Sequence, residues 1–279
     1  MKHLLLLLCL WLPAGVAPSP PVLAPLRIAE QFVAPEGWPA MKQYLCCEVA
    51  GQAKARTLGQ QIPARQQRKC ELVRQDSVMA VVAVELRDSA QRRDFYLHFR
   101  RDSTGWTLAA IRSLAMTHLG PPMVDLLTSL PPAEVAAYNR KHPDASHAFT
   151  VGNLRLWTSA DADIAAHFRR HRSEFQKLLR RLQAGKFFTA EPGPSEPATE
   201  QAANADLAVH TLLRRLFLGR VTRHAPACGS CLAFVIGGKT TSTVGLLYQP
   251  VAALLPAMQP NGVIVLRPLG EGWYLYKTA

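Results

Sequence analysis

The chain has 279 residues, 48% hydrophobic and 19% charged, and its 32 Lys and Arg outweigh 20 Asp and Glu for a net charge of +12. That mix excludes a disordered polypeptide, and no apolar run approaches the roughly 20 residues that a membrane-spanning helix needs. The basic excess points to anionic partners, an acidic protein or an anionic envelope surface, without choosing between them.

Met1-Lys2-His3 precedes an apolar run from Leu4 to Leu12 and then Pro13-Ala14-Gly15-Val16-Ala17. A basic start, a short apolar stretch and small residues after it predict a secretory signal over residues 1–24, and so an exported, periplasmic or secreted protein. The cut site stays open between Ala17 and Ala24, since Pro18 and Pro25 follow directly. A buried N-terminal helix is the other reading, disfavoured because the run has no polar face.

From residue 25 to 130 the pattern predicts an α+β module. Leu26–Phe32 reads as a short helix; Lys42–Val49, Lys69–Arg74, Val78–Leu86, Asp94–Arg101 and Trp106–Ser113 read as strands. Phe95, Leu97 and Phe99 alternate with Tyr96, His98 and Arg100, the period of a strand with one face on a core. Asp102-Ser103-Thr104-Gly105 supplies a hairpin turn, and Asp88–Arg93 joins the preceding pair, giving an antiparallel meander.

Residues 121–138 predict one or two short helices, 131–148 form the connection between modules, and a second α+β module is expected over 149–279. Its first element is a helix from about Ala160 to Leu182, capped by Ser159 or Asp161. Ile164, Phe168, Phe175, Leu178, Leu179 and Leu182 form the apolar stripe. Residues 189–204, rich in Pro, Glu, Ala and Thr, predict a mobile loop, and Ala205–Leu218 a helix. Leu232–Ile236, Val244–Tyr248, Val263–Arg267 and Trp273–Lys277 read as strands, with a terminal hairpin at Gly270-Glu271-Gly272.

The patches Asp94–Phe99, Gly105–Ala115, Phe149–Leu156 and Gly272–Tyr276 together resemble an uncharacterised family of exported bacterial proteins. They touch both modules but cover well under half the chain. The first module, a short helix and a curved meander, is similar in outline to NTF2-like or cystatin-like folds. Those folds host enzymes and inert binding modules alike, so the resemblance implies no activity.

Five cysteines follow the apolar run: Cys46, Cys47, Cys70, Cys228 and Cys231. An oxidising compartment favours pairing, and the expectation is one bond from Cys70 to Cys46 or Cys47 and another between Cys228 and Cys231. Cys228-Gly229-Ser230-Cys231 has thioredoxin-like spacing, but a strand follows it where a redox site needs a helix, so a structural bond is favoured. No second ligand pair supports zinc, and His167 and His171, four apart, lack the intervening Glu of a hydrolytic metal helix. No metal and no cofactor is expected.

Arg169, Arg170, Lys177, Arg180 and Arg181 lie largely off the apolar stripe and form the expected contact with an anionic surface, against a merely solvated face. Nucleic acid is disfavoured, because Phe168 and Phe175 belong to the stripe and not to an exposed stacking surface. The reading is an exported, non-catalytic binding or structural protein. Its alternatives are an enzyme with a site in the cavity of the first module, where Tyr96 or His98 would face inward, and an envelope inhibitor or immunity protein.

Overall fold

The computed structural model describes residues 23–52, 57–89, 92–114, 119–188, 196–223, 228, 231–238 and 242–279. The expected signal, apart from its last two residues, lies outside them. The described chain is mixed α+β, with two antiparallel sheets of four and five strands.

Helix α1 (Pro25–Val33) begins on a proline, whose missing N–H costs nothing at a first turn, and buries Ile28, Ala29, Phe32 and Val33. Strands β1 (Gln67–Gln75), β2 (Met79–Arg87), β3 (Arg92–Asp102) and β4 (Gly105–Arg112) pair in sequence order, the expected meander. The β3–β4 turn is fixed by the Asp102 carboxylate, which accepts the Thr104 N–H at 2.8 Å, and by Gly105 at φ 130°.

Residues 42–49 are not a strand. Met41–Tyr44 forms a 3-10 turn, Leu45 makes one isolated bridge to Leu108, and helix α2 (Cys47–Gln52) follows. The physical reason is local: Cys47 sits at φ 57°, which ends the extended backbone, and Tyr44 stacks on Trp38 at 4.7 Å.

Helices α3 (Gly120–Thr128), α4 (Pro132–Lys141) and α5 (His147–Trp157) come next. The last, absent from the expected elements, has Ser146 as its cap, accepting the Phe149 N–H. The long basic helix is two, α6 (Asp161–Arg170) and α7 (Arg172–Ala184), broken at His171 (φ −106°, ψ 19°). No apolar residue at 171 or 172 carries the stripe across, and the bend brings Phe168 and Phe175 both onto Trp273, at 5.4 and 5.7 Å.

The expected mobile loop is corrected in part: residues 196–205 form helix α8 (Glu196–Ala205). Its Ala203 is buried, and its Asn204 amide bonds both backbone groups of Val221. Those bonds override a composition poor in apolar residues. Helix α9 (Leu207–Arg215) buries Val209, Leu212 and Leu213, whereas Ala205 and Ala208 are exposed. The second sheet joins β5 (Arg220–Thr222), β6 (Leu232–Gly238), β7 (Thr243–Tyr248), β8 (Val263–Gly270) and β9 (Trp273–Thr278) in the order β5-β6-β7-β9-β8.

Three apolar clusters follow one another through the protein. The first joins α1 to Ala80, Val82, Val84, Leu97, Phe99, Trp106 and Leu108 of the first sheet. The last joins α6, α7 and α9 to Phe234, Leu246, Trp273 and Leu275 of the second. Between them Val81, Ala83 and Tyr96 of the first sheet meet Ala233, Leu247, Ile264, Val265, Leu266 and Tyr276 of the second. Strand β2 and the middle of β3 are therefore buried on both faces, since side chains alternate along each strand, while edge strand β1 stays largely exposed.

Candidate functional site

Strand β3 carries the polar groups of the layer between the sheets. With a period of two, Asp94, Tyr96 and His98 share one face, while Phe95, Leu97 and Phe99 turn to the first cluster. Asp94 stands at one end of the layer, His98 at the other, and fully buried Tyr96 between them.

At the first end the central group is Asp161, 4% exposed, at the start of α6. Its Oδ1 accepts the Tyr96 hydroxyl at 2.8 Å and faces Lys277 Nζ at 2.8 Å, and its Oδ2 accepts Arg267 Nε at 2.5 Å. Arg267 also reaches Glu71 at 2.8 Å. The expectation that Asp161 or Ser159 caps the helix is corrected: Ala160 is the cap residue. The Asp161 N–H is satisfied by the Asp94 carboxylate, at 2.6 Å.

Two neighbouring carboxyls thus differ. Burial alone would raise Asp161, but Lys277 and Arg267 overcome it and hold the group below the usual carboxylate range. Asp94 is pushed up to about 6 by burial and by the Asp161 charge, with Lys277, 4.0 Å away, opposing too weakly. Asp94 and Asp161 line a cleft of about 490 Å³, together with Glu71, Glu85, Lys69, Arg169 and Arg267.

At the other end His98 is 3% exposed; the Ile264 backbone faces the ring, but neither nitrogen makes a hydrogen bond of good geometry among the described residues. Burial and the Arg112 guanidinium pull it down to about 4, with Glu48 and the Ile264 backbone opposing, so the ring is neutral at pH 7. Leaving a buried donor or acceptor unpaired costs about 1–3 kcal/mol. His98 lines a second pocket, of about 400 Å³, walled by Met79, Phe99, Ala110, Met258 and Pro260.

Tyr96 and His98, expected in a cavity of the first module, face the second sheet instead, because α1 packs on the opposite side of β3. Cys228 and Cys231 form a disulfide with Cα atoms 5.5 Å apart. The expected bond to Cys70 is not formed. Cys46, Cys47 and Cys70 are free, and the neighbours Cys46 and Cys47 share no strand; their Sγ atoms lie 2.8 Å apart. Burial, helped by Glu30, pushes the Cys70 thiol up to about 12.

Arg169, Arg170, Lys177, Arg180 and Arg181 are all exposed, but on two helices, and Arg181 is paired with Asp206 at 2.7 Å. The His167 and His171 rings lie 4.6 Å apart, tilted by 41°, and are engaged by the Leu216 carbonyl and by Glu174. Among the described residues no group of three or more His, Cys, Asp and Glu side chains could hold a metal ion, and no helix is long and apolar enough to cross a membrane.

Sequence reasoning passed over Asp161, Arg267, Lys277 and Glu71 as site residues. Period two along β3 places Asp94 beside Tyr96 and His98, but no spacing signals a partner 67 residues away. No family model, no curated protein and no solved structure matches this chain.

Proposed function

We propose that this is an exported binding protein that takes a small, amine-bearing polar ligand in the cleft beside Asp94. One observation carries the reading: a buried carboxyl lines an open cleft, while its neighbour Asp161 already holds Tyr96, Lys277 and Arg267. An incoming ammonium group would pair with Asp94 and favour its ionised form. Glu71 and Glu85 lie on the same walls, and Lys69 and Arg169 would meet an anionic tail of the ligand. Export rests on the leading apolar run, with the disulfide compatible with an oxidising compartment.

A second reading has its own support. Two adjacent carboxyls with protonation ranges driven apart are the arrangement of general acid–base catalysis, with Asp94 as the proton carrier and Asp161 as the fixed charge. Calorimetric titration with cadaverine, L-lysine and glutarate tests the binding reading. Cadaverine and L-lysine should bind and glutarate should not, and Asp94→Asn should weaken cadaverine at least tenfold. Equal binding of cadaverine by wild type and Asp94→Asn would remove the cleft as its site.

A further inference from the structure

The second pocket has a different chemistry from the cleft. Four residue steps along the strand lead from Asp94 to His98, roughly 13 Å of extended chain, and Tyr96 fills the layer between them. Of the charged residues at the second pocket, Glu48 and Arg112 are paired with each other, and Arg100 is exposed. Each N–H group of Arg112 is taken, by both Glu48 carboxylate oxygens, the Ile111 and Pro260 carbonyls and the Asn261 side chain. An anion beside the ring therefore finds no free donor on Arg112, Glu48 is already held by that same arginine, and exposed Arg100 is not among the charges that act on His98. Next to His98 are an apolar wall and the Ile264 backbone, and the neutral imidazole itself makes no hydrogen bond of good geometry among the described residues.

We propose that this pocket binds a small neutral molecule with an apolar body and one hydroxyl group, which hydrogen-bonds His98. A hydroxyl fits because it both donates and accepts, and a neutral imidazole offers one acceptor and one donor. A carboxylate beside the ring would need a positive partner, and Arg112 is taken while Arg100 is exposed and does not act on His98; a hydrocarbon would leave the imidazole unpaired. The ring lies beneath the surface, and Met79 and Met258 line the pocket beside it. Met258 is buried and its sulfur accepts the Leu266 N–H, so half-buried Met79, an unbranched thioether that changes rotamer at low cost, is the side chain that would open the way to the ring.

The test uses three probes of one shape: p-cresol, toluene and p-toluate, titrated into the full chain while the His98 ring nitrogens are followed by NMR. The expected result is saturable movement of the His98 signals by p-cresol, which binds at least tenfold more tightly than either other probe. In His98→Leu the affinity for p-cresol should fall about tenfold, to that of toluene. Ala257→Trp, at an exposed rim position, should block p-cresol without disturbing the interior. Were His98→Leu not to fold, the probe ranking on wild type and the Ala257→Trp variant decide alone. Equal binding of p-cresol and toluene, tighter binding of p-toluate, unchanged binding in Ala257→Trp or no movement of the His98 signals would each overturn the proposal.

Discussion

The two ends of the layer between the sheets bury polar groups in opposite ways. At the Asp161 end the carboxylate meets two cations and a hydroxyl, and the desolvation of each charge is offset by a partner of opposite sign. At the His98 end the ring escapes the cost of a buried charge by staying neutral, but its nitrogens make no hydrogen bond of good geometry among the described residues. One end is complete without a ligand and leaves only Asp94 to respond to one. The other is incomplete, which is why the more sharply defined ligand chemistry belongs to His98.

Breaking the complete end should have the largest effect. Asp161→Ala leaves Lys277, Arg267 and the Tyr96 hydroxyl buried without their shared acceptor, and removing one partner of a buried pair costs about 3–5 kcal/mol. Urea unfolding should report that loss as a lower midpoint. A loss under about 1 kcal/mol, as for an exposed ion pair, would mean that water reaches the cluster and that the contrast between the ends is false.

Acid sharpens the comparison, because the two ends respond with opposite sign. Asp94 has a folded pKa of about 6 against an ordinary 3.8, so its protonated form favours the fold. That contribution is present below the lower value and is lost as pH rises through about 6. His98 has a folded value of about 4 against an ordinary 6.5, so its neutral form favours the fold. That contribution is present above the upper value and is lost as pH falls through about 4. Each shift of about two units corresponds to roughly 3 kcal/mol. Between pH 4 and 6, Asp94→Asn should gain stability relative to wild type as pH rises, and His98→Leu should lose it. Chemical denaturation across that window checks both slopes, and two slopes of the same sign would refute the assignment.

Much of this architecture is legible in the sequence because period two and period 3.6 are local. The meander from Val78 to Ser113 and the four closing strands needed only alternation and turn residues, and each lies where the pattern puts it. Three features escaped for identifiable reasons. Apolar residues in Lys42–Val49 imitate a strand, but the positive φ at Cys47 is a backbone choice that no periodicity announces. Helix α8 has a loop-like composition and is held by Asn204, whose partner Val221 follows it by 17 residues. The cleft depends on Asp94, Asp161 and Lys277 converging from β3, α6 and β9, a juxtaposition made by the packing of two sheets. Tyr96 and His98 could be singled out from the strand alone, but the direction they face depends on which side α1 covers.

The disulfide gives the smallest of these effects and locates the boundary between the two ends. Cys228 and Cys231 are buried in the same apolar cluster as Val81, Ala83 and Tyr96, so the bond belongs to the middle of the layer. The Gln249 amide lies 3.9 and 3.8 Å from the two sulfurs. The bond joins residues only three apart in sequence, and so short a loop restricts the unfolded chain by only about 2 kcal/mol. Replacing both cysteines by alanine should therefore lower the unfolding midpoint less than Asp161→Ala does. It should also leave the opposed pH slopes of Asp94→Asn and His98→Leu unchanged, since neither titrating group touches the sulfurs. If those slopes change when the bond is removed, the middle of the layer transmits between its ends, and the cleft and the pocket would have to be treated as one coupled site.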